Sequence, residues 1–99
     1  MLTIARIDSI GGACPFQIEA HTDDDRGVYV RYRWGHLRIW VAAKPGGSAF
    51  DEDVEVVFSQ TLDAEGWDGC LNGATVAALT KDLIQWPAEV VNDGEPLYP

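Results

Sequence analysis

Residues 28–41, VYVRYRWGHLRIWV, keep a period of two on both sides of a single glycine. Successive side chains of a strand point to opposite faces, so this segment reads as a hairpin of two half-buried strands. Pairing Val30 with Ile39 puts Val28, Val30, Tyr32, Leu37, Ile39 and Val41 on one apolar face. Tyr29, Arg31, Arg33, His36, Arg38 and Trp40 fall on the other. A slip of one residue would mix the two sets, so the pattern selects its own register. The turn is the difficult part. A two-residue turn at Trp34-Gly35 asks Trp34 for a positive φ, which is unfavourable for a bulky side chain. A type I turn with a bulge at Gly35 is the alternative, and it could shift the register.

Shorter alternations surround the hairpin. Leu2 to Ile7 is a first strand, ended by GGACP. Phe16, Ile18 and Ala20 alternate with Gln17, Glu19 and His21 in a second, closed by the turn TDDDRG. After the loop AKPGGSAFDED, Val54, Val56 and Phe58 alternate in a later strand. The period then changes: NGATVAALTKDLIQWP places Val76, Leu79, Leu83 and Trp86 at helical spacing. Asn72 or Thr75 can cap its start, and Pro87 ends it. The expected fold class is α+β: an antiparallel β-meander of about four to five strands with one C-terminal helix packed on one face. A small, partly open barrel is the alternative. A chain of 99 residues makes one domain, 1–99, with residues 88–99 as an acidic, proline-broken tail.

The outward row of the hairpin holds three arginines. Arg31 stands opposite Arg38, and like charges across a pair are destabilising. Neighbouring strands offer relief. Pairing Ile18 with Val30 sets Gln17 against Arg31 and leaves Glu19 on the diagonal. A strand on the other side could bring Glu55 to Arg38. Either the row is neutralised within its own sheet, or Tyr29, Arg31, Arg33, Arg38 and Trp40 form a face for a carboxylate, a phosphate or an aromatic ligand.

The formal charge is −9, unevenly spread. Residues 1–50 carry six basic and five acidic side chains, whereas residues 51–99 carry one basic and eleven acidic. A body of this sign is repelled by nucleic acid, whose affinity rests on phosphate neutralisation. It attracts basic partners and speeds their encounter. Cys14 and Cys70 are too few for a disulfide framework; one bridge between them is the alternative to the expected pair of buried, reduced thiols. MLTIARIDSI is not a signal peptide, and no run approaches the length of a membrane span. A cytoplasmic location is expected.

Catalytic and metal patterns are weak. Asp23-Asp24-Asp25 and Asp51-Glu52-Asp53 are acidic triplets in turns. DAEGWDGCLNGA imitates a calcium loop but puts Trp67 where an oxygen ligand belongs and Ala74 where the closing glutamate should stand. His21, His36, Cys14 and Cys70 lack zinc spacing. Neither Cys14 with a histidine nor Glu19 with Glu55 completes a nucleophile–base–orienter set. The expectation is no enzyme, no metal and no cofactor.

PFQIEAHTDDDRGVYVRYRWGHLRIWVA together with LNGATVAALTKDLIQWP resembles small uncharacterised proteins of phage and bacterial genomes. The shared features are a strand after a proline, an acidic turn, a Tyr-x-Arg-Tyr-Arg-Trp-Gly-x-Leu hairpin, and a closing helix ending in Trp-Pro. The resemblance implies a phage or mobile-element origin and transfers no functional residue. With the acidic C-terminal half, it suggests a non-enzymatic inhibitor, anti-CRISPR-like, that presents an acidic surface to a basic nucleic-acid-handling host protein in the host cytoplasm. Asp51, Glu52, Asp53, Glu55, Asp63, Glu65 and Asp68 are its candidate contacts. The alternative is a ligand- or peptide-binding module that uses the arginine–aromatic face. Direct nucleic-acid and membrane binding are not expected, and a free sheet edge would let two copies pair.

Overall fold

The computed structural model describes residues 1–11, 16–63 and 71–96. Among these described residues six strands form one mixed sheet, joined by two short helices. The strands are β1 (Leu2–Gly11), β2 (Phe16–Thr22), β3 (Gly27–Arg33), β4 (His36–Val41), β5 (Glu55–Thr61) and β6 (Ile84–Gln85). Helices α1 (Gly73–Leu79) and α2 (Ala88–Val91) flank β6 in the chain. The spatial order is β5-β4-β3-β2-β1-β6, antiparallel throughout except that β6 runs parallel to β1.

The hairpin takes the expected register, with Val30 opposite Ile39 and Arg33 opposite His36. Ile18 lies opposite Val30, and Gln17 opposite Arg31, on the other side. The inward residues of β2, β3 and β4 are the core: Phe16, Ile18, Ala20, Val28, Val30, Tyr32, Leu37, Ile39 and Val41 are all buried. Each such aliphatic or aromatic side chain contributes about 1.5–3 kcal/mol when buried. The like-charge repulsion of Arg31 facing Arg38 is worth less than roughly 1 kcal/mol. Burial therefore decides the register and the arginines accept their positions.

The turn after β2 explains its acidic sequence. Asp25 adopts a left-handed φ of 61°. Thr22 Oγ1 donates to Asp24 Oδ1 and accepts from the Arg26 backbone N–H at 2.9 Å, and Asp24 pairs with Arg26 at 3.0 Å. The 42–54 loop folds back over this turn: Gly27 N–H donates to Gly47 O at 3.0 Å and Gly46 N–H to Asp25 O at 2.7 Å. Gly27 must be glycine here, because a Cβ would sit 2.8 Å from Ala49 N.

Three expectations need correction. Inward and outward positions of β5 are interchanged over part of its length. A bulge between the pairs Ile39–Phe58 and Trp40–Val56 makes Val57 the extra residue. Val57 joins Phe58 against the core, and Val56 is left 53% exposed on the outer face. The bulge also moves Glu55, which lies opposite Val41 while Ser59 faces Arg38. The expected Glu55–Arg38 pairing is absent.

The long helix is also replaced. Asn72 does cap α1, accepting from Thr75 N–H at 2.9 Å, but the helix ends at Leu79. Thr80 donates to Val76 O at 2.7 Å and accepts from Trp86 Nε1 at 2.8 Å. The chain then turns, leaving Leu83 45% exposed, and Ile84 pairs with Leu2. Trp86 is buried as expected, yet it arrives there from a strand. Within the acidic, proline-broken tail α2 forms, and Val90 is fully buried.

Thr80 joins α1 to Trp86 through a buried hydroxyl. Thr80→Val keeps the shape and leaves the indole N–H unsatisfied. Urea denaturation should show a loss of about 1–3 kcal/mol; unchanged stability would mean that Trp86 Nε1 finds another acceptor.

Candidate functional site

The outer face of β3 and β4 carries the most distinctive side-chain set. At the hairpin tip Arg31, Arg33, Trp34, His36, Arg38 and Trp40 line an open groove of about 340 Å³. The turn takes the difficult form: Trp34 has φ 56° and Gly35 φ 77°, both left-handed. That conformation costs a bulky L-residue roughly 1–2 kcal/mol. It is held from below. Leu62 and Asp63 N–H groups donate to Gly35 O at 2.8 and 3.1 Å, and a Cβ on Gly35 would overlap the Asp63 carbonyl. The Trp34 ring projects outward, 70% exposed.

The arginine row is not neutralised by carboxylates of the sheet. The ion pairs among the described residues are Arg6–Asp8, His21–Asp8, Arg26–Asp24 and Lys44–Asp53, and none involves Arg31, Arg33 or Arg38. Glu19 lies opposite Tyr29 in the sheet and forms no ion pair with an arginine among the described residues. The guanidinium groups instead meet aromatic rings: Arg33 lies 5.2 Å from the Trp34 ring centroid and Arg38 5.7 Å from that of Trp40. Arg31 Nε is buried and has no hydrogen-bond partner among the described residues. His36 fastens the row to β5, with Nε2 2.7 Å from Ser59 Oγ and Nδ1 3.0 Å from Thr61 Oγ1.

The far end of the same face is apolar. Tyr29 stacks on Trp40 with centroids 5.5 Å apart and meets Phe50 at 4.9 Å. Phe50 is 66% exposed despite this contact, and Val56 lies opposite Trp40 beside it. The face is therefore graded, cationic at the tip and aromatic at the base. Phe50, Val56 and Trp34 are contributors that alternation along the hairpin does not reveal. They come from a folded-back loop, from the bulged β5 and from the turn itself.

A second concavity, of about 290 Å³, lies where the 42–54 loop crosses β2, with Asp8, Glu19, His21, Ser48 and Phe50 in its lining. Asp8 bonds Arg6 Nε at 2.8 Å and His21 Nδ1. The same His21 Nδ1 also lies 3.1 Å from Arg6 Nη2, so the three side chains form one cluster. Ser48 Oγ accepts from Phe50 N–H at 3.1 Å and makes no hydrogen bond to His21. The arrangement orients an imidazole without joining it to a nucleophile.

Of the seven expected acidic contacts, five fall among the described residues. Asp51, Glu52, Asp53 and Glu55 are exposed at the start of β5, but Asp51 accepts from Ser48 N–H at 2.8 Å and Asp53 faces Lys44 at 3.9 Å. Asp63 lies beyond the other end of β5, next to Gly35. Glu65, Asp68, Trp67, Cys14 and Cys70 fall outside the described residues. Among the described residues no group of three or more His, Cys, Asp or Glu gathers as a metal site, and no helix is long and apolar enough to cross a membrane.

Two outcomes follow from these contacts. Trp34→Asn, which tolerates the left-handed turn, should raise stability by about 1 kcal/mol, while Gly35→Ala should lower it by about 2 kcal/mol or more, both read from denaturant midpoints. The Arg6 guanidinium, with His21, holds the Asp8 carboxyl below its ordinary value. A carboxyl lowered in the folded state stabilises above its unfolded pKa, and that contribution disappears as pH falls through the folded one. Melting temperatures of wild type and Asp8→Asn between about pH 6 and pH 2 should therefore converge at the acid end. A constant gap would exclude this role for Asp8.

No family model, no curated protein and no solved structure matches the chain, so its chemistry is taken from its own residues.

Proposed function

We propose that the protein is a non-enzymatic binding module whose recognition surface is the outer face of the β3–β4 hairpin, and that its ligand is a short acidic peptide segment with an adjoining apolar residue. One observation carries this reading. Three guanidinium groups share an open groove with two indoles, and no carboxylate among the described residues pairs with them. Arginine binds carboxylates through paired N–H groups, and exposed tryptophan and arginine are the residue types that dominate binding energy at interfaces. The base of the face, formed by Tyr29, Trp40, Phe50 and Val56, supplies the apolar contact. Along β3 the stripe from Tyr29 to Arg33 covers four residue steps, or roughly 13 Å, which matches a segment of about four to five extended residues. The strained Trp34 supports the same reading, since backbone strain is retained where it serves binding.

The experiment is fluorescence anisotropy with a labelled hexapeptide holding four glutamates and one leucine. Arg38→Ala or Arg31→Ala should weaken binding roughly 10–100-fold, the value of one or two charge-assisted hydrogen bonds. Trp34→Asn should weaken binding while making the fold more stable. Equal affinity in all three variants would overturn the reading. So would tighter binding of a single-stranded oligonucleotide than of the peptide.

A second reading places function in the exposed run Asp51, Glu52, Asp53 and Glu55. A phage-encoded, anti-CRISPR-like inhibitor acting in the host cytoplasm would present this run to a basic, nucleic-acid-binding host protein. Its support is the excess of acid in residues 51–99 and the clustering of these four carboxylates at the start of β5. Neutralising Asp51, Glu52 and Asp53 to amides would abolish host-protein capture on this reading and leave the peptide affinity of the arginine face intact.

A further inference from the structure

We propose that Asn72 is a site of spontaneous covalent modification: the Gly73 backbone nitrogen displaces its side-chain amide whenever residues 93–95 let go, and the carboxylate left behind releases helix α2. The proposal uses none of the residues of the arginine face and stands apart from the peptide-binding reading.

Packing places the reactive pair. Asn72-Gly73 is the one Asn-Gly dipeptide of the chain. The C-terminal end of α2 lies so close to it that a Cβ on Gly73 would sit 2.7 Å from Val90 O and 2.9 Å from Asp93 Cβ. The fold therefore requires glycine at 73. Glycine is also the residue whose nitrogen is least hindered in attacking the preceding side chain. Position 72 could equally be Asp, Ser or Thr as far as capping α1 is concerned. Asparagine differs by its second group, because Nδ2 donates to Glu95 O at 2.8 Å. Gly94, at φ 83°, brings the chain there, and a Cβ on it would lie 2.6 Å from Nδ2.

The reaction needs only water. A bond forms between Gly73 N and Asn72 Cγ, the Cγ–Nδ2 bond breaks, and the Gly73 proton leaves with the nitrogen as ammonia. Water then opens the five-membered imide at either carbonyl and gives aspartate or isoaspartate. In the folded chain every reacting group is held. Gly73 N–H donates to Asp93 Oδ2 at 2.8 Å. Asn72 Oδ1 accepts from the Thr75 N–H at 2.9 Å and from its hydroxyl at 2.6 Å. Nδ2 is tied to Glu95. Closing the imide requires Asn72 to leave its extended ψ of 167° and turn Cγ onto Gly73 N, which breaks these contacts. Local opening of the 93–95 segment therefore sets the rate.

The segment that guards Asn72 is also the one its loss would free. Helix α2 has four residues and no side-chain cap, and a helix that short does not persist alone. It is held by the buried Val90 and by Asp93, whose carboxylate accepts from Gly73 N–H and whose carbonyl accepts from Ala74 N–H at 3.0 Å. An aspartate at 72 still caps α1, but it has no donor for Glu95 O and turns an acceptor towards an acceptor. It also sets a second carboxylate beside Asp93. An isoaspartate inserts a methylene into the main chain between the cap and the helix and displaces the cap from Thr75. Either product breaks the contacts that dock α2, and neither reverts.

Peptide mapping by mass spectrometry of the full chain, incubated at mildly alkaline pH, reads conversion at Asn72, and enzymatic methylation of isoaspartate reads the second product. Conversion should be slow in buffer and many-fold faster in urea above the unfolding midpoint. Asp93→Ala should speed conversion in buffer roughly tenfold, the population of open chain gained by losing one hydrogen bond to a charged group. Circular dichroism checks that this variant folds. If it does not, Gly94→Ala, which displaces the Glu95 carbonyl and leaves Asp93 in place, should speed conversion in the same sense. Asn72→Asp, one of the two products, should show a lower urea midpoint than wild type and faster amide exchange at Gly73 and Ala74. Equal conversion in buffer and in urea, no acceleration in the folded variant, or a wild-type midpoint and exchange pattern in Asn72→Asp would each overturn the proposal.

Discussion

Burial of one face of the β3–β4 hairpin dictates everything on the other. Six inward side chains, from Val28 to Val41, vanish into the core. Their combined transfer free energy exceeds by several-fold the repulsion of two arginines forced opposite each other. The outer row follows from that choice and was not arranged for its own stability. It offers guanidinium groups to solvent, rings beside them, and no carboxylate among the described residues in pairing distance. The sheet places a charged face where the core allows it, and the face is left chemically open.

What the sequence reveals depends on how many constraints agree at each position. In the hairpin the two faces differ sharply, so the register of Val30 with Ile39 can be read directly, and the Ile18–Val30 pairing follows from the same logic. In β5 the signal is ambiguous because Val54, Val56, Val57 and Phe58 are all apolar. Either phase can be drawn, and the bulge at Val57 selects between them through packing that no local pattern records. The closing helix misleads for a different reason. Val76, Leu79, Leu83 and Trp86 fit a helical stripe, but Thr80 and Ile84 are β-branched and each finds a better partner elsewhere. Ile84 pairs with β1, and Thr80 closes the helix while accepting the Trp86 indole. The aromatic residue sits where a helix would put it and reaches that place by another path.

The turn shows the same competition with the opposite outcome. Local preference argues against Trp34 in a left-handed conformation, and the sheet imposes it regardless. A turn of any other length would break the alignment of Arg33 with His36 and disturb the core pairs behind it. The Gly35 carbonyl, anchored by two N–H groups of the chain leaving β5, removes the freedom to relax. An asparagine would meet these demands at lower cost. A large exposed indole at this position is a local conflict without a compensating contact in the core, and such conflicts concentrate where a surface is used.

The charge asymmetry then limits what the surface can use. Screening at physiological ionic strength acts over about 8 Å, so a ligand already in the groove responds mainly to the three guanidinium groups around it. A ligand still approaching responds to the whole molecule, which carries −9. The two ranges favour opposite signs. A long polyanion must bring many charges through the repulsive outer field, and gains from only the few that reach the groove. A short segment with a few carboxylates meets little of that field and gains the full local attraction. On the proposed reading, an acidic protein can thus keep an arginine face that disfavours nucleic acid, and the ligand that fits it is small, anionic and partly apolar.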